Sequence, residues 1–529
     1  MHIRIVIVIA FARCVAADAP VVEVTSGEVA GTTVEFSHPD VAIQRTVDIF
    51  KGIPYAEPPV GELRFQPPQS KTAWEGVYDA TEFRPICIQA EDAASPGFDP
   101  QSEDCLFLNV FAPHTQFESL PVMVWIHGGS FITGSGSSYD CLALSSIGEV
   151  VIVTINYRLG ALGFLLTGDE HATGNYGLLD QIAALQWVQE NIAAFGGDSN
   201  RVTIFGESAG SMSVDLLLFS PLSEGLFHRA IMQSGTASMP GNPLTDTALQ
   251  NKAAHGLGKV VGCQKNTSEE LVQCLRTVPA KEFSKIVDPF ANLIPGAAGE
   301  GLAEGPFAPF VDGNVLPEDP KAVIAEGRFS GTGIDILMGA NADEGTFVIA
   351  LALPYTINQT EPTVSKSQFD EFLPTFLFGP AKSSPAAHDA VKLMYVDWAT
   401  VDSDDANYAG ALSQMTGDEL FVCPTDLSAR AYSEAGSKVY RYFMTHVPAT
   451  SVWPMPWSGA AHAEDIKFVF GYHFLNYTIM AQDEVNMTLQ VMKYWTNFAK
   501  TGGWVYAIWN EKSGHFVIDL SSLYSKHMP

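Results

Sequence analysis

The chain has 529 residues, with 29 Lys and Arg against 59 Asp and Glu, so its formal net charge is 29 − 59 = −30. So acidic a surface repels phosphates and argues against nucleic-acid binding. Its 47% hydrophobic and 11% aromatic residues supply a large core and argue against disorder.

At the N-terminus, Arg4 precedes a short apolar run from Ile5 to Ala12 and then small residues. That is the order of a secretory signal peptide, with cleavage near Ala17 or Ala19. No internal repeat or long low-complexity linker follows, so the expected organisation is a signal over 1–17 and a single domain over 18–529. No later run reaches the ~18 apolar residues of a membrane span, and the expectation is a secreted, extracellular protein with no transmembrane segment. Cys14 lies in the signal; Cys87, Cys105, Cys141, Cys263, Cys274 and Cys423 remain. In an oxidising compartment the short loops Cys87–Cys105 and Cys263–Cys274 are favoured, although spacing alone does not choose the pairing. Sequons at Asn266, Asn358, Asn476 and Asn486 are candidate glycosylation sites.

Four runs read as strands: Val122–Ile126, Val150–Ile155, Val202–Phe205 and Ile334–Met338. Each is short, apolar and rich in β-branched residues, with turn formers at its ends. Their hydrophobicity is continuous, which predicts strands covered on both faces, as in a parallel sheet. Leu178, Ile182, Leu185, Val188 and Ile192 fall at helical spacing, so 178–195 is expected to be a helix, and another starts near Ser211. The alternation predicts an α/β fold, a large mostly parallel central sheet flanked by helices. Residues 263–333 and 351–430 are expected to be helices and loops inserted over the sheet, shaping a gorge.

The strand at 202–205 runs straight into Gly206-Glu207-Ser208-Ala209-Gly210, the G-x-S-x-G elbow in its strand-to-helix context. A serine hydroxyl is a weak nucleophile unless it is exposed, held and placed beside a base, and a sharp turn exposes Ser208. Upstream, the strand at 122–126 ends in His127-Gly128-Gly129-Ser130. In such a turn the N–H groups of Gly128 and Gly129, with that of Ala209, form an oxyanion hole. The acid and the histidine belong downstream, in that order. Asp343 and Glu344 both follow the strand at 334–338, and residue chemistry leaves them equal. His462 sits in a small-residue loop, with His446, His473 and His515 as competitors.

These motifs and several longer ones resemble the type-B carboxylesterase/cholinesterase family of α/β-hydrolases. Phe50-Lys-Gly-Ile-Pro-Tyr-Ala-Glu-Pro-Pro59 with Arg64-Phe65, Glu103-Asp-Cys-Leu-Phe-Leu-Asn-Val110, Asn156-Tyr-Arg-Leu-Gly160 and Phe195-Gly-Gly-Asp198 are each similar to a family signature. The resemblance implies Glu344 as the triad acid and His462, with Asp465, Ile466 and Gly471 after it, as the base. It implies Ser234 as a support for the acid, and Cys87–Cys105 and Cys263–Cys274 as disulfides. Glu207, beside the nucleophile, acts either on the site's electrostatics or in the helix start. The implied activity is serine carboxylesterase chemistry on small-molecule esters through an acyl-enzyme, with no metal and no organic cofactor. A non-enzymatic adhesion or receptor-type protein and a lipid-ester hydrolase are the alternatives. Three departures stand out: Ser130 replaces a glycine, Cys423 lacks a downstream cysteine, and Ile88–Asp104 contains no tryptophan. In cholinesterases a tryptophan there faces the quaternary ammonium by a cation–π contact, so its absence argues against choline esters.

Overall fold

The computed structural model describes residues 19–519 apart from 91–99, 118, 242, 285–306, 329–332, 353–362, 378–380, 382, 400, 402–406, 452, 454, 476–481, 504–507 and 511–514. The expected signal and the sequons at Asn358 and Asn476 lie outside the described residues.

The main sheet comprises β1 (Thr32–His38), β2 (Val41–Pro54), β3 (Phe107–Pro113), β4 (Leu120–Ile126), β5 (Val151–Ile155), β6 (Gly197–Glu207), β7 (Arg229–Gln233), β8 (Asp335–Asn341), β9 (Val439–Met444), β10 (Ile508–Asn510) and β11 (His515–Asp519). Their spatial order is β10-β11-β9-β8-β7-β6-β4-β5-β3-β2-β1. From β5 through β11 every neighbour runs parallel, and antiparallel strands lie at both edges. The expected α/β architecture is therefore present.

Continuous hydrophobicity has the expected consequence. Side chains alternate across a strand, so Val122, Val124 and Ile126 enter one apolar core while Met123 and Trp125 enter the other. Helix α1 (Tyr176–Asn191) is shorter than the expected 178–195 because a 3-10 turn, Ile192–Phe195, closes it against Gly196 in the left-handed region. Its four periodic apolar residues and Ile192 in the turn are all buried. The other helices that position the site are α2 (Ala209–Phe219), α3 (Gly345–Ala352), α4 (Ala409–Gly417), α5 (Cys423–Glu434), α6 (Ile466–Phe470) and α7 (Gln482–Thr501). Helix α7 lays Val491, Met492, Trp495 and Phe498 on the second core.

Disulfides join Cys87 to Cys105 and Cys263 to Cys274, with Cα separations of 4.9 and 5.7 Å. Cys141 is buried and Cys423 exposed, and both are free thiols. Asn266 is exposed, as is Asn486 on α7.

Parallel register decides where the site forms. Gly206 pairs with Ile126, Glu207 with Gln233, and Gln233 with Gly339. The residues that follow β4, β6, β7 and β8 therefore emerge at one sheet edge, the carboxyl edge where open α/β sheets build their sites.

Candidate active site

Ser208 links β6 to α2 with φ 57° and ψ −125°. Such a backbone is strained for a side-chain-bearing residue, by roughly 1–3 kcal/mol, and it tips Ser208 out while its neighbours stay buried. The turn survives because its flanks are glycines. A Cβ on Gly206 would stand 2.6 Å from Gly210 backbone atoms and from the Ile126 carbonyl oxygen, and one on Gly210 would strike the same oxygen. The Ser208 N–H donates to Gln233 O at 2.9 Å, tying the elbow to β7.

The glycine turn after β4 lies against this elbow. A Cβ on Gly128 would be 3.1 Å from Ser208 Cβ. The N–H groups of Gly128, Gly129 and Ala209 take no acceptor among the described residues, which leaves them open to an oxyanion. Gly129 has φ 103°, and the next two positions, Ser130 and Phe131, are left-handed at 55° and 62°. Ser130 thus holds a glycine-like backbone despite its side chain. Sequence reasoning missed the clamp on this turn: the Gln89 side chain donates to Gly134 O at 2.9 Å and accepts the Gly134 N–H at 2.8 Å. Gln89 follows the Cys87–Cys105 bridge by two residues, so the disulfide supports the turn. His127 stacks on Tyr157 at 4.4 Å. Burial pushes its pKa down to about 4, so it is neutral.

Of the two acidic candidates, Glu344 faces the histidine. Its Oε2 lies 2.6 Å from His462 Nδ1, and its Oε1 accepts the Ser234 hydroxyl at 2.5 Å and the Asn341 N–H at 2.7 Å. Asp343 does different work. Its Oδ2 accepts the Ala460 N–H at 2.8 Å, and Asn341 Nδ2 donates to Ala461 O at 2.8 Å, so the end of β8 pins the loop that carries His462. The competing histidines are engaged elsewhere: His446 with Glu484 and His473 with Asp40, each at 2.9 Å. The side chain of His515 lies outside the described residues.

Nε2 of His462 lies 3.0 Å from Glu207 Oε1, so Glu207 turns into the site rather than serving only as the start of a helix. Ser208 Oγ makes no hydrogen bond among the described residues. Burial drives the Glu207 carboxyl up to about 8, which His462 partly offsets. Burial opposes a charge on His462, yet Glu207 and Glu344 outweigh it and lift the imidazole to about 9. Glu207 and His462 titrate as a pair. Beneath them Asp465 is raised by burial and accepts the Tyr442 hydroxyl at 2.7 Å and Gln233 Nε2 at 2.9 Å. Trp495 Nε1 holds the other end of Gln233 at 2.9 Å.

Aromatic rings that sequence reasoning did not single out pack round His462. Phe347 stacks on it at 4.4 Å and Phe421 tilts against it at 4.7 Å, while Trp453 Nε1 donates to His462 O at 2.7 Å. Phe421 comes from a π turn, Asp418–Val422, between α4 and α5. Pro424 has no N–H for a regular helical bond to Leu420, and the wider turn accommodates that loss. The signals were weak but present: Phe347 lies three residues after the acid, and Pro424 follows Phe421.

The profile of the Carboxylesterase family matches residues 18–515 of the chain. An acetylcholinesterase of Bungarus fasciatus is 39% identical over 471 residues, covering 86% of this chain and 75% of that protein.

Proposed function

Because the chain belongs to the carboxylesterase family of serine ester hydrolases, we propose that it is a secreted carboxylesterase acting on small or medium uncharged esters through Ser208, His462 and Glu344. The observation that carries this reading is the 2.6 Å Glu344–His462 pair at the same sheet edge as a strained serine flanked by unpaired backbone N–H groups. Ser208 Oγ closes on His462 Nε2 when substrate binds, since such contacts commonly tighten only in the substrate complex. Nε2 takes the hydroxyl proton as Oγ attacks the ester carbonyl. The charge that develops on the carbonyl oxygen is met by the N–H groups of Gly128, Gly129 and Ala209. His462 then protonates the leaving alcohol, and Glu344 holds the imidazole tautomer and stabilises the imidazolium. Water cleaves the acyl-enzyme by the same steps in reverse order of partners.

Uncharged esters are favoured because Ile88–Asp104 contains no tryptophan to face a quaternary ammonium. Identity to an acetylcholinesterase favours the second reading, a choline ester. The signal-like N-terminus and two disulfides support secretion. The test is hydrolysis of p-nitrophenyl butyrate beside acetylthiocholine, with Ser208→Ala as control. Turnover of the butyrate that disappears in Ser208→Ala is expected. A higher kcat/KM on acetylthiocholine would move the assignment to choline esters, and no turnover of either by folded protein would overturn the mechanism.

A further inference from the structure

A second group of chemistry-bearing side chains lies where the β1–β2 hairpin meets the helical turn Tyr472–Leu475. His38 closes β1, Asp40 sits in the two-residue connection, and His473 comes from a segment 433 residues further on. His473 Nε2 is 2.9 Å and His38 Nδ1 3.7 Å from the same oxygen, Asp40 Oδ2. One donor atom from each residue lies within 4.8 Å of the other two. The imidazoles are largely covered, with side-chain exposures of 9% and 13%, whereas Asp40 is 34% exposed. Phe474 packs edge-on against both rings at 5.3 Å, and the rings themselves stand 5.2 Å apart. His473 Nδ1 is buried without a partner among the described residues. His38 Nδ1 accepts the Asp40 N–H at 3.2 Å, a bond that an ion would replace.

We propose that His38, Asp40 and His473 bind a divalent transition-metal cation of the zinc type. Two imidazoles and a carboxylate are a donor set suited to that class. Around a tetrahedral ion with bonds of about 2.0–2.1 Å the donor atoms stand about 3.3 Å apart. The 2.9 and 3.7 Å distances from the two imidazoles to Asp40 Oδ2 bracket that value. The exposed flank of Asp40 leaves a fourth position for water. The acidic surface concentrates cations near it. Bound there, the ion ties the edge hairpin to the chain that runs from the His462 loop through α6. Phe470, at the end of α6, packs at 4.9 Å on Trp125 of β4, so the clip fastens a segment that packs against the central sheet.

The test uses the full chain, stripped with a chelator and titrated with Zn²⁺ by calorimetry and with Co²⁺ by visible absorption. One tight equivalent, a tetrahedral cobalt spectrum and a Tm that rises with zinc concentration are expected. His38→Gln and His473→Gln should each weaken binding at least about tenfold. Asp40→Asn, in an exposed turn, should abolish the zinc-dependent Tm shift, read against that variant's own metal-free Tm. Absence of a stoichiometric equivalent would overturn the proposal. So would binding that survives all three changes, because the metal would then sit on other histidines, and zinc inhibition of ester hydrolysis in that case would place it at His462.

Discussion

Replacing Glu207 by Gln removes one carboxylate 3.0 Å from His462 Nε2 while keeping the volume. At an effective dielectric of about 20, two unit charges at that separation attract by about 5.5 kcal/mol, or about 4 pK units. The full amount is not available, because burial lifts the Glu207 carboxyl to about 8, so it is only partly charged in the neutral range. A shift of about one to two units, or about 1.4–2.7 kcal/mol, is the expected remainder. The sign follows from which form Glu207 favours. Its negative charge stabilises imidazolium, and only neutral His462 accepts the serine proton. Without that charge imidazolium forms less readily, so the acid limb of kcat/KM moves to lower pH. The assay is kcat/KM for p-nitrophenyl butyrate between pH 5 and 10 for wild type and Glu207→Gln, each variant normalised to its own plateau. An unmoved limb, or one displaced to higher pH, would refute the electrostatic role assigned to Glu207. Loss of activity at every pH would show instead that Glu207 is required for the geometry.

Ser234→Ala removes a hydroxyl donor 2.5 Å from Glu344 Oε1; a bond to a buried charge is worth about 1.5–3 kcal/mol, so kcat should fall roughly 10- to 150-fold with KM little changed, whereas a fall in Tm alone would assign Ser234 to structure only. Glu344→Gln should lower kcat about 10⁴-fold by releasing the wrong imidazole tautomer. Asp343→Asn, whose side chain accepts the Ala460 N–H and does not face the imidazole, should cost activity far less, and equal losses would remove the distinction between the two acids. Below the His462 loop, Glu464 and Lys467 form an ion pair with both side chains buried, and Lys467 Nζ also donates to Thr450 O. Glu464→Gln removes the nearest countercharge from the buried ammonium and should cost about 3–5 kcal/mol in urea unfolding, most of it recovered in the double variant Glu464→Gln, Lys467→Met.

The strands and the elbow were legible because their signals are local. Val122–Ile126 is buried on both faces and its continuous apolar run says so; Gly206 and Gly210 flank Ser208 within five residues and can be read as one turn. The His127-Gly-Gly turn was readable for the same reason. Residue chemistry could not separate Asp343 from Glu344, or His462 from His446 and His473, because that distinction lies in contacts across 118 residues. Only the family resemblance selected among them before the fold was known. Within the fold the difference is geometric: consecutive residues at the end of β8 point to opposite partners, Glu344 to the imidazole and Asp343 to the loop that carries it. The aromatic packing of Phe347 and Phe421 left only weak local traces, and Trp453 and the His38–Asp40–His473 cluster left none. The sequence by itself determined which segments are buried, where the chain turns sharply and which turn exposes a serine, since burial and turning are imposed by neighbours along the chain. Which acid, which histidine, which rings and which second cluster come together was decided by tertiary structure, because parallel register carries distant strand ends to one edge and proximity in space, not spacing in sequence, sets charge and hydrogen bonding.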